Sequence, residues 1–197
     1  LSNNIKNIDK VLYSHMHADQ THGINDLRVF YLKNKKKINI YVDKLTNDYL
    51  RKNFLYCFEK KFDYPPILKT NKIKKQLIFN EKKNKLQIKC IPVKHGSINS
   101  LSFIINNKLA YASDVNFIYE KDLHMFKGLK YFIVDCLRLE KHPSHYNLDQ
   151  ILQLIKIIKP KKTILTNLHS DLDYNYLLKN LPNNIRPAYD GLSLNIK

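Results

Sequence analysis

The sequence predicts a mixed α/β (α+β) fold in one domain covering residues 1–197. Three observations lead there. Short apolar or alternating runs of strand length recur along the chain, and between them apolar residues return at helical spacing. Strands and helices therefore alternate instead of segregating. A chain of 197 residues can bury a substantial core and is still of ordinary size for one domain.

Taken in order, Ile8 to Tyr13 reads as a strand. Ile24, Leu27, Phe30 and Tyr31 then mark an amphipathic helix over Thr21 to Leu32. Ile38 to Val42 is a second strand. Leu45, Tyr49, Leu50, Phe54 and Cys57 mark a helix that ends before Pro65-Pro66. Lys60 to Asn71 reads as irregular chain bordering a pocket. Leu77 to Phe79, Leu86 to Val93, Leu101 to Ile105 and Leu109 to Ala112 read as strands. Asn106-Asn107 suits the hairpin turn between the last two, because Asn tolerates positive φ. A helix around Ile118 to Phe126 stops at Gly128. Tyr131 to Val134 is a buried strand. Asn147 with Gln150 forms a capping box for a helix running to Lys159, closed by Pro160. Thr163 to Leu168 is a strand, Tyr174 to Leu181 a helix and Leu192 to Ile196 a final strand.

Composition narrows the setting. No apolar run is long enough to span a bilayer and no signal-peptide pattern starts the chain, so a soluble cytoplasmic protein with no membrane partner is expected. Cys57, Cys90 and Cys136 lack metal-ligand spacing and read as reduced, mostly buried thiols. The net charge of +17 points toward polyanions. Yet the excess is nearly all Lys, and it travels with the Asn, Ile and Tyr that an A/T-rich coding sequence favours. Lys33 to Lys37 and Lys82 to Lys85 carry no interleaved aromatics for base stacking and read as solvated turns. Nucleic acid is thus a secondary expectation, and a small anionic substrate the primary one.

The chemistry concentrates in Ser14-His15-Met16-His17-Ala18-Asp19-Gln20-Thr21-His22-Gly23, behind the first strand. In extended chain alternate side chains point the same way, so His15, His17 and Asp19 can converge. Two imidazoles and a carboxylate are donors that borderline divalent metals prefer. Later strand ends supply more of the same types: His95 after Val93, Asp114 after Ala112-Ser113, and His169 after Leu168.

This order, His15-x-His17-x-Asp19, then His95, Asp114 and His169, resembles the metallo-β-lactamase superfamily. More narrowly it is similar to the branch of the phosphonate-pathway cyclic phosphodiesterase. Tyr13 to Arg28, His142-Pro143-Ser144-His145-Tyr146 and Leu165 to Tyr174 carry the resemblance. It implies an αββα sandwich and a metal-dependent hydrolase, most simply a phosphodiesterase for a small or cyclic phosphodiester. It further implies Zn2+ or Mn2+, one or two ions per chain. His15, His17 and His95 would hold the first metal, Asp19 and His169 the second, and Asp114 would bridge both. Asp19 would thereby serve catalysis, and a hydroxide shared by two cations would attack phosphorus. His145 is similar to the family's added histidine near the scissile phosphate, suited to leaving-group protonation or phosphate contact. His142 is a weaker candidate. His22 and His124 read as helix-face residues, with His22 able to support a ligand.

Two departures matter. The family has His directly after the motif Asp, and here stands Gln20, whose amide is a poor ligand for a zinc-type ion. The second metal is therefore expected to bind weakly. About a dozen residues precede the His-x-His loop, so a chain lacking the family's N-terminal strands is expected, less stable alone or completed by a partner segment. A homodimer is left open. The rival expectations are a degenerate one-metal binding protein without turnover, a thioester hydrolase, and a tRNA 3′-processing endonuclease.

Overall fold

The structure is a computed structural model that describes residues 5–60, 63–81 and 84–196. The chain falls into two compact units, Leu1–Lys74 and Lys75–Lys197.

In the first unit a parallel sheet is formed by β1 (Lys10–Leu12), β2 (Ile38–Val42) and β3 (Leu68–Lys72), in the order β1-β2-β3. β2 alternates, burying Ile38, Ile40 and Val42. Its core partners include Leu27 and Phe30 of α2 (Leu27–Asn34) and Leu50 of α3 (Lys44–Phe54). Each such aliphatic side chain contributes about 1.5–3 kcal/mol on burial. α3 starts where the Asp43 carboxylate accepts the Thr46 N–H at 2.7 Å.

The continuous helix expected over Thr21 to Leu32 is broken. A single turn, α1 (Ala18–Thr21), gives way to a 3-10 stretch, His22–Asp26, before α2 begins. Gly23, Asn25 and Asp26 are poor helix formers, and neither α1 nor the 3-10 stretch has a side-chain N-cap. The expected irregular segment is also shorter, because Leu68 to Asn71 pair with β2. Their polar side chains hid a strand whose hydrogen bonds, and not its apolar pattern, define it. Residues 61 and 62 of that segment lie outside the described residues.

The second unit carries a seven-stranded sheet, from β4 (Gln76–Glu81), β5 (Asn84–His95), β6 (Ile98–Ile105), β7 (Leu109–Ala112), β8 (Tyr131–Asp135), β9 (Lys162–Thr166) to β10 (Ile185–Pro187) in spatial order. β4 to β7 pair antiparallel and β7 to β10 pair parallel. Asn106 and Asn107 both adopt positive φ in the turn between β6 and β7. Helix α4 (Glu120–Leu123) passes into a 3-10 turn, His124–Phe126, shorter than the expected helix. α5 (Leu148–Ile158) has both capping-box bonds and ends at Lys159 with φ 48°. It buries Ile151, Leu154, Ile155 and Ile158 in a core with Val93, Phe132, Val134 and Leu165. α6 (Tyr174–Asn180) starts at an Asp173 cap.

The expected final strand, Leu192 to Ile196, is absent. Those residues alternate between half-buried and exposed with no buried side, and β10 takes the edge beside β9 instead. β9 stops at Thr166 because Asn167 turns to φ 57°. Lys33 to Lys37 are exposed, with Lys35 at φ 51°. Lys82 and Lys83 lie outside the described residues, whereas Asn84 and Lys85 open β5 and do not form a turn. The three cysteines are free and buried. Burial pushes the Cys90 thiol up to about 11 and, with nearby carboxylates, the Cys136 thiol up to about 12, which makes both inert. Among the described residues no helix is long and apolar enough to cross a membrane.

Candidate functional site

The second unit gathers candidate residues at one edge of its sheet. β5, β7, β8 and β9 run the same way, because β5 and β7 are each antiparallel to β6 while β7, β8 and β9 are mutually parallel. Their C-terminal ends deliver His95, Asp114, Asp135 and Asn167.

His95 is buried. Its Nδ1–H donates to the Ser144 carbonyl at 2.7 Å, which turns Nε2 toward Asp114 Oδ2 at 3.6 Å. An imidazole held by a carbonyl in this way presents one defined nitrogen to a metal. Gly96 makes the contact feasible: it adopts φ +60°, and a Cβ there would lie 3.0 Å from Ser144 Cβ. Asp114 is also buried. Its Oδ1 accepts from Asn167 Nδ2 at 3.1 Å, and its backbone carbonyl accepts from the Ser100 hydroxyl. The same Asn167 amide donates to the Ser113 carbonyl at 3.2 Å.

Asp135, fully buried at the end of β8, accepts at Oδ2 from His145 Nδ1 at 2.5 Å and from the Val115 N–H at 3.2 Å. Burial raises its carboxyl to about 6, opposed by the His145 hydrogen bond and charge. The bond fixes the His145 ring, whose centroid lies 4.8 Å from that of His95 and 5.1 Å from that of His142. His142 Nδ1 accepts the Ser144 N–H at 3.3 Å. Burial, with the charges of His145, Arg138 and His95, holds His142 below the usual imidazole range. His169 is exposed and pairs through Nδ1 with Asp171 Oδ1 at 3.0 Å.

In the first unit, β1 delivers the His-x-His loop. His15 is buried with Nδ1 3.1 Å from Ser14 Oγ, and His17 is exposed. Their rings meet edge-on with centroids 4.5 Å apart, and their potential ligand nitrogens lie within 4.8 Å. Thr21 Oγ1 donates to the His17 carbonyl at 2.8 Å and fastens the loop. Asp19, exposed on α1, accepts from Gln20 Nε2 at 2.8 Å. Burial would raise its carboxyl. The Gln20 bond, its own N–H and the charges of His15 and His17 outweigh that and hold it low. His22 Nε2 lies 3.1 Å from the Tyr49 hydroxyl and its ring stacks edge-on against Phe54. His124 is an exposed residue of its 3-10 turn.

The structure thus brings His15 to His17, and His95 to both Asp114 and His145. Asp19 is engaged by Gln20, and His169 by Asp171. Paired imidazoles and an imidazole beside a buried carboxylate are donors that fit a divalent metal ion. Sequence reasoning missed Asp135, Asn167 and Ser144. For Asp135 a signal existed, an acid directly after the apolar run Tyr131 to Val134, matching Asp114 after its own strand.

A family model described as a beta-lactamase superfamily domain matches residues 1–167. The chain is 28% identical over 193 residues to an octanoyltransferase of Porphyromonas gingivalis, covering 95% of this chain and 38% of that protein. It thus spans well under half the length of that relative. It is 28% identical over 178 residues to the anti-Pycsar protein Apyc1 of Paenibacillus harenae, covering 84% of this chain and 70% of that one. Among solved structures, a diphosphatase from the PhnP family superposes with a TM-score of 0.87 at 25% identity, over 100% of this chain and 74% of that one. The short form of human tRNase Z superposes with a TM-score of 0.68 at 17% identity, over 96% and 80%, a likeness of fold alone.

Proposed function

This chain belongs to the metallo-β-lactamase superfamily, in its PhnP-like branch and with its mixed α/β fold, and from that premise we propose that it is a metal-dependent phosphodiesterase acting on a small or cyclic phosphodiester. The observation that carries this reading is the likeness over the whole chain to a diphosphatase.

By motif order, His15, His17 and His95 would hold a first metal and Asp19 and His169 a second, with Asp114 able to serve either. A bound divalent cation supplies charge neutralisation at phosphoryl oxygens and activates water. The second site is the weaker in this proposal, because Gln20 replaces an imidazole and its amide is spent on Asp19. The candidate ions are Zn2+ and Mn2+, the imidazole-rich donor set favouring Zn2+.

The chain's own acid–base group is His145. The buried Asp135 carboxylate accepts its Nδ1–H, so Nε2 is the nitrogen that carries the exchangeable proton. In this role Nε2–H protonates the leaving-group oxygen, and Asp135 stabilises the imidazolium beforehand. Asp135 acts through His145 and is a positioning residue.

Thioester hydrolysis is the second reading, prompted by an octanoyltransferase relative of which this chain spans 38%. A substrate panel separates the two. Protein loaded with Zn2+ or Mn2+ is offered bis(4-nitrophenyl) phosphate, 2′,3′-cyclic nucleotides, acyl-thioesters and precursor tRNA. Turnover of the diesters is expected. Thioester turnover without diester turnover would replace the first reading with the second, and tight, salt-steep tRNA cleavage would replace it with the endonuclease.

A further inference from the structure

Beside the His145 ring lies a basic group that no step above uses. Resting on the reading of His145 as the leaving-group acid, we infer that Arg138 and His142 form a subsite for an anionic group, a phosphate or a carboxylate, carried on the leaving-group portion of the substrate.

The segment bearing both residues is fixed at both ends. The Leu137 N–H donates to the Tyr146 carbonyl at 3.0 Å and the Leu148 N–H to the Arg138 carbonyl at 3.1 Å. Within the loop, the Leu139 N–H donates to Asp171 Oδ2 at 3.2 Å and Asn147 Nδ2 to the Leu139 carbonyl at 2.8 Å. Side chains on such a loop are held in place before a ligand arrives, which reduces the entropy lost on binding.

Arg138 is half-buried and folds back over its own loop, with Nη2 donating to the Lys141 carbonyl at 3.0 Å. Its Nε is buried and has no hydrogen-bond partner among the described residues. Nor does any carboxylate among the described residues form an ion pair with it. The nearby acids are engaged elsewhere: Asp171 by His169 and the Leu139 N–H, Asp135 by His145 and the Val115 N–H. Glu140 is exposed to solvent. A partly desolvated guanidinium with an unmatched donor and no counter-ion is a site awaiting an oxyanion, for which its planar fork is well shaped.

His142 completes the group. Because Nδ1 accepts the Ser144 N–H, the neutral ring carries its proton on Nε2 and presents a donor. Its ring centroid is 5.1 Å from that of His145. A leaving oxygen that takes its proton from His145 places the rest of the leaving group beside His142, and the Arg138 charge acts on that same ring.

The test uses methyl aryl phosphodiesters whose phenol leaving groups carry a 4-phosphono, a 4-carboxy or a neutral 4-acetyl group. Wild-type protein should favour the anionic leaving groups over the neutral one by about tenfold or more in kcat/KM, chiefly through KM. A higher ratio for phosphonate than for carboxylate assigns the subsite to a phosphate, and the reverse order to a carboxylate. Arg138→Gln should bring the ratio close to one, and Arg138→Lys should keep part of it. Calorimetric binding of 4-phosphonophenol, a product, supplies a readout without turnover. Its affinity should fall about tenfold in Arg138→Gln and less in His142→Asn, a second variant that serves if the first does not fold. An anionic preference that survives Arg138→Gln, or wild-type protein with neither preference nor product binding, would overturn the inference. Absence of diester turnover with Arg138-dependent product binding would instead remove the phosphodiesterase reading and leave the anion site standing.

Discussion

The two groups of candidate site residues, one in each unit, are built differently. His95, Asp114 and Asp135 in the second unit are buried, and each is held by the protein: His95 by the Ser144 carbonyl, Asp114 by Asn167, Asp135 by the Val115 N–H and His145. Of the first unit's candidate residues His15 is buried, while His17 and Asp19 are exposed and the Asp19 carboxylate accepts from the side chain next to it. Orientation that comes from a backbone group, as His95 has from the Ser144 carbonyl, persists without a ligand. Orientation that comes from a flexible neighbouring amide does not. The comparison predicts that metal retention depends more on the second unit's residues and that, under the proposed two-ion reading, Asp19 is the weaker end.

The largest effect should separate the loops directly. His95→Ala should remove nearly all bound metal and lower kcat/KM by on the order of 10^3-fold or more. Asp19→Ala should leave one equivalent in place. Elemental analysis alongside diester kinetics checks both, and equal metal loss in the two variants would end the asymmetry. Next come the proton-handling residues. His145→Ala should lower kcat by about 10^2–10^4-fold with metal retained. Asp135→Asn should cost roughly 10–100-fold, because the ring it orients is lost as a defined donor.

Gly96→Ala tests how tightly the second unit is built. The residue's positive φ and the approach to Ser144 predict about 1–3 kcal/mol lost in a denaturant melt, with weaker metal retention. Gln20→His probes the softer loop. It should raise metal content toward two equivalents and activity several-fold, whereas an unchanged enzyme would mean that the amide is tolerated.

The smallest effect is a slope with pH in chelated protein. A carboxyl raised to about 6 in the fold takes up protons there more readily than in the unfolded chain. Its charged form therefore lowers stability as pH rises from about 4 to about 6, and below that range the penalty vanishes. Melting temperatures across that window should show this contribution in wild type and lose it in Asp135→Asn.

Local chemistry was legible in the sequence. The capping box of Asn147 and Gln150 and the Asn106-Asn107 turn depend on residues within a few positions, and both are present. So are the strands that lead to His95 and Asp114. The helix after Gly23 was misjudged because a 3-10 turn followed by a helix keeps apolar residues nearly in phase. β3 was hidden because its membership comes from pairing with β2, and Leu192 to Ile196 showed apolar alternation without a core to receive it. Asp135 acquires meaning only when the fold brings His145 to it, and Asn167 only when its left-handed backbone turns the amide toward Asp114. Such pairings are set by tertiary contact, which no spacing in the sequence encodes.

Metal content per chain, on protein purified without chelator and again after chelation and reloading, tests the central claim most directly. Between one and two equivalents of Zn2+ or Mn2+, lost on chelation together with diester hydrolysis and regained with it, is the predicted result. A folded chain that binds no metal, or one whose diester hydrolysis is unchanged when the metal is removed, would contradict it.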